Sequence, residues 1–134
     1  MANMTNYLEK KLLDHTLGLL SFTMPVTAYL GLSSSDPTDT GSLAGEPVGN
    51  GYARQDVTTA MGVTHATSGV STNEDTILFG PCTTTAWGAV AYGIISDALS
   101  AGNTLLHGAL SSSRNIVVND TMEFSPSTFT ITFG

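Results

Sequence analysis

The chain has 134 residues, with eleven acids against four lysines and arginines, a net charge of −7 and a charged share of only 11%. That share is less than half the roughly 25% of an ordinary soluble domain, while the apolar share is ordinary, which excludes a disordered chain. An acidic body without clustered Lys or Arg also excludes nucleic-acid phosphates and anionic membrane surfaces as partners.

The charge is unevenly placed. Lys10 and Lys11 cancel Glu9 and Asp14 within the first sixteen residues, and beyond residue 16 only Arg54 and Arg114 stand against nine acids. The polar surface of that remainder must be mostly Thr, Ser, Asn and Gly. A freely diffusing domain usually interleaves many charges of both signs. A shell this poor in charge suits a protein packed against neighbours.

One domain over residues 1–134 is the expectation at this length. No apolar run reaches the roughly 18 residues of a transmembrane helix. A signal peptide is not expected, because Tyr7-Leu8 runs straight into Glu9-Lys10-Lys11. Cys82 is the single cysteine, so no internal disulfide is possible, and it is read as a small buried apolar residue.

Leu8, Leu12, Leu13, Thr16 and Leu17 recur at helical spacing and predict a short amphipathic helix over residues 4–17. Thr5 or Asn3 can cap its start, and Gly18 can end it in the left-handed conformation. So short a helix is not stable alone and must dock on this chain or another copy. Tyr7, Leu8 and Leu12 are the candidate docking residues. Deleting residues 1–17 is expected to leave a folded β body.

From Val26 the period becomes two. Val26, Ala28, Leu30 and Leu32 share one side of a strand candidate, and Tyr52 to Val57 alternates less cleanly. Ile77 and Phe79 pair up next. Trp87 to Ile95 is apolar on both faces, as in a strand covered on both sides. Leu105, Leu106 and Leu110 form a further run, then Ile116 to Val118, then Met122 with Phe124. Phe129, Ile131 and Phe133 alternate with threonines in the cleanest strand pattern of all.

Turn-rich stretches separate these runs, among them Gly69 to Asp75, Asp97 to Asn103 and Ser111 to Asn115. The pattern predicts an all-β fold, an antiparallel β-sandwich of jelly-roll or Greek-key type, with one N-terminal helix. Residues 33–51 form a long loop that is either functional or a cover for the sheet. Residues 58–75 are similarly polar, with a short edge strand expected around Val63.

No catalytic, cofactor or metal site is expected. His15, His65 and His107 are scattered, and no paired metal-ligand spacing or nucleophile motif occurs. Asp36-Pro37-Thr38-Asp39 before Gly41 resembles a calcium loop but lacks its closing glutamate, and turn chemistry explains it. His107 is read as a half-buried packing residue. Arg54, in a body starved of cations, is read as a structural ion pair with Asp56, Asp97 or a partner chain's carboxylate. Trp87, Tyr52 and Tyr92 would be the platform if the protein bound carbohydrate, although a lone Trp is more readily a core residue.

Several stretches carry a family resemblance. Asn6-Tyr7-Leu8-Glu9-Lys10-Lys11-Leu12-Leu13-Asp14-His15, and Tyr29-Leu30-Gly31-Leu32 leading into Ser35-Asp36-Pro37-Thr38-Asp39, resemble small bacteriophage virion proteins. So do Gly51-Tyr52-Ala53-Arg54, the segment from Trp87-Gly88 to Ser96-Asp97, and Leu105-Leu106-His107-Gly108-Ala109-Leu110. The resemblance brings no catalytic residues with it. It implies a non-enzymatic virion structural protein, assembled in the host cytoplasm. The first expectation is a capsid cement or decoration protein, its expected partners being its own copies in a homotrimer and the major capsid protein or another virion protein. The second is a tail-fibre or tail-tip component that binds carbohydrate. The compact chain, without heptads or collagen-like repeats, favours the first.

Overall fold

The computed structural model describes residues 2–63 and 68–133. Among these residues the elements are β1 (Asn3–Met4), α1 (Asn6–Thr16), β2 (Tyr29–Ser33), β3 (Gln55–Asp56), β4 (Val70–Thr72), β5 (Ile77–Phe79), β6 (Gly88–Ser96), β7 (Thr104–Ile116), β8 (Met122–Phe124) and β9 (Thr130–Thr132). The protein is all-β apart from α1, and every strand pair is antiparallel.

Five strands form the main sheet in the order β1-β7-β6-β2-β3, while β4 pairs β9 and β5 pairs β8 in two short ribbons. The register sorts the residues of the main sheet onto two faces. Leu30 lies opposite Ile95, Ile95 opposite Leu106 and Leu106 opposite Met4, which puts these four on one face. Gly31, Ile94 and His107 line up in the same way on the other.

The ribbons supply the second layer over the first face. Ile77 opposes Phe124 and Phe79 opposes Met122, so alternate residues of both strands point inward together. Ile77, Phe79 and Met122 join Leu30, Leu32, Val90, Ile95 and Ile116 in one buried cluster, with Phe124, Phe129 and Ile131 packed against it. The arrangement is sandwich-like, with the largest apolar side chains between its layers.

The opposite face is covered by the long loop. Gly41 accepts from the Thr104 hydroxyl at 3.1 Å, and Asn6 N–H donates to Asp39 O at 2.8 Å. At Gly45 a Cβ would stand 2.3 Å from Ser35 Oγ and 2.5 Å from Ser33 Oγ, so only glycine lets the loop lie this close to the end of β2. Residues 36–41 are a turn, as their composition suggests: Asp36 Oδ1 accepts from Thr38 N–H at 2.9 Å and Thr38 O from Gly41 N–H at 3.0 Å. Ile94 and Ile95 are consecutive yet both buried because the loop covers one face and the ribbons the other.

The helix starts where expected, at Thr5, whose hydroxyl accepts from Leu8 N–H and donates to Thr104 O at 2.6 Å. Its inner face docks on its own chain. Leu8 is only 4% exposed, and α1 packs against β7 and β1. β1 also pairs Asn3 with His107 and Met4 with Leu106. β1 and the inner face of α1 are therefore part of the packed body, which runs against the expectation that residues 1–17 can be removed and leave the β fold intact.

Five other sequence expectations differ from the structure. Gly69 to Asp75, turn-like in composition, contains β4, which pairs with β9. Val26 is 92% exposed and outside any strand, because bonding to the neighbouring segment begins only at Ala28, which meets Val57 and Thr58. Ser111 to Asn115 belong to β7, where the pairing of Ala89 with Asn115 and Val90 with Arg114 overrides a turn-like composition. Val117 and Val118 lie in the following turn rather than a strand. Near Val63 the described residues hold no strand, only an isolated bridge between Met61 and Asn73. His65 lies outside the described residues.

Candidate interaction surfaces

Arg54 is tied entirely within its own chain. Its guanidinium grips Glu46 with two parallel bonds, Nε to Oε1 and Nη2 to Oε2, both 2.7 Å. The remaining nitrogen, Nη1, donates to Ser96 Oγ and Ala98 O at 2.7 Å and to Ala101 O at 2.9 Å. Its partner is thus Glu46 of the long loop, not Asp56 or Asp97. No sequence signal marks Glu46, which lies in a loop without periodicity. With its side chain 1% exposed, Arg54 has no face left for an anionic ligand.

Tyr52 completes the network. Its hydroxyl donates to Glu46 Oε1 at 2.8 Å and accepts from Leu32 N–H at 2.9 Å. Burial, with the Glu46 carboxylate adding to it, pushes the phenol well above the usual tyrosine range. Hydrogen bonding to Glu46 likewise raises Arg54.

His107 is buried and holds the loop at a second point. Its Nε2 lies 3.3 Å from Asp39 Oδ1, and its Nδ1 lies 3.4 Å from Asp36 Oδ1. Among the described residues no three His, Cys, Asp or Glu side chains gather closely enough to hold a metal ion. Cys82 is buried, its thiol 3.2 Å from Thr85 O.

The three aromatics that could form a sugar platform do not form one. Trp87 is buried, donates through Nε1 to Asn50 O at 2.9 Å, and meets Tyr52 edge-on. Tyr52 in turn stacks on Phe79. Their rings are core, and only Tyr92 of the three stands apart from this packing.

Of the helix residues read as docking candidates, Leu8 is in the core and unavailable. Tyr7 is half-buried, with Phe22 edge-on at 6.5 Å and the Lys11 ammonium 5.7 Å from its ring. Leu12 is also half-buried against the core. The exposed apolar surface lies one step further on. Leu13, Leu17, Leu19, Leu20, Met24 and Val26 are between 55 and 92% exposed, on the outer face of α1 and the extended segment after it. The signal for this strip was the alternation of Leu20, Phe22, Met24 and Val26, a strand-like pattern that no neighbouring strand completes.

No curated protein matches the chain. A family model does match it, from residue 3 to residue 132, and its description is podophage GP4 fiber I protein gp80. The chain belongs to that family, and so is a bacteriophage structural protein and a component of the virion.

Proposed function

We propose that the protein is a non-catalytic component of the phage tail fibre. The family match over residues 3–132 carries this reading and favours the fibre over the capsid cement role. The geometry agrees with a passive structural part. Arg54, Glu46, Tyr52 and His107 are engaged in fastening the long loop to the sheet. Such a body serves by holding its shape and by contacting other virion proteins.

Labelling intact particles with a gold-conjugated antibody against the protein tests the reading. Label on appendages at the tail is the expected result. Label spread over the capsid shell would restore the cement role and overturn the fibre role.

A further inference from the structure

We propose that the strip formed by Leu13, Leu17, Leu19, Leu20, Met24 and Val26 is the surface through which one copy of this chain joins a second. Single exposed apolar residues are ordinary, but a local concentration of them marks an interaction site. Here six such residues fall within fourteen positions, each more than half exposed.

Charge identifies the occupant. From Leu17 to Ala28 the chain has no ionisable side chain, and the four charges of α1 cancel. The whole net charge of −7 therefore sits on the rest of the body. Two identical acidic bodies repel each other, and they approach at least Coulomb cost through their neutral ends. A basic partner would instead be drawn to the acidic remainder, away from this strip.

The backbone gives a second reason. Among the described residues, the N–H groups of Ser21, Thr23, Met24, Val26 and Thr27 find no partner, and Pro25 has none to offer. Phe22 alone is held, by His15 Nδ1 at 3.1 Å and by Tyr7. A segment outside any strand, with free donors and alternating apolar side chains, is suited to strand addition by a neighbour.

The inference deepens the fibre reading, since a fibre needs contacts between subunits, but it is tested separately from it. Sedimentation velocity of the full chain over a range of concentrations should show a reversible oligomer. The quadruple variant Leu17→Ser, Leu20→Ser, Met24→Ser, Val26→Ser should sediment as a monomer with an unchanged circular dichroism spectrum. The control Val48→Ser with Leu99→Ser, exposed elsewhere, should leave the oligomer intact. A wild-type monomer at every concentration, or an unaffected quadruple variant, would overturn the proposal. Should the quadruple variant misfold, hydrogen exchange of the wild type decides. Amides of residues 21–27 that become protected as concentration rises support the proposal, and fast exchange at all concentrations refutes it. A monomer located on the tail would end this inference and leave the fibre reading standing. An oligomer located on the capsid shell would do the reverse.

Discussion

Arg54 draws together three parts of the chain: Glu46 of the long loop, Ser96 at the end of β6, and the Ala98 to Ala101 turn. Removing one member of a buried pair strands the other charge, at a cost of roughly 3–5 kcal/mol. Arg54→Ala should lower stability by about that amount in urea unfolding, and Arg54→Met combined with Glu46→Leu should recover part of it. Tyr52 makes a pH-dependent contribution. An unfolded tyrosine loses its proton near pH ~10, whereas buried Tyr52 holds it to higher pH. The unfolded state therefore gains by ionisation, and the stability linked to Tyr52 is full below about pH 10 and falls as the pH rises beyond it. Thermal melts of wild type and Tyr52→Phe should show the variant less stable at neutral pH, but with a shallower loss in alkaline buffer.

At the scale of elements, α1 and the long loop are integral parts of the sandwich. Leu8→Ala opens a cavity beneath the helix and should cost about 2–5 kcal/mol. Gly45→Ala forces a methyl group against Ser33 and Ser35 and should cost about 1–3 kcal/mol, read in the same unfolding assay. The strands whose alternation is local were legible in the sequence: Ile77 with Phe79, Met122 with Phe124, and Ile131 between threonines. So were the helix cap at Thr5 and its end at Gly18, with φ +71°. What depends on distant partners was not. Ser111 to Asn115 read as a turn because composition does not reveal that β6 lies alongside. Val26 read as a strand because its pattern is right and only the partner is missing. Glu46 and Arg54 are eight residues apart across a glycine- and proline-rich stretch, a pairing that no periodicity encodes.

At the scale of the molecule, the scarcity of charge divides the surface into an acidic body and a neutral apolar end. If the neutral end joins copies, added salt should strengthen the oligomer rather than dissolve it, because screening weakens the repulsion between bodies while the apolar contact persists. Sedimentation at low and high sodium chloride checks this, and dissociation at high salt would point to ion pairs instead. The central claim is that the chain is a fibre component, and a cryo-electron-microscopy reconstruction of intact virions tests it most directly. The structure should fit density in the fibres at the tail, with the strip around Met24 and Val26 buried between neighbouring copies; density for the protein over the capsid shell, and none in the fibres, would contradict it.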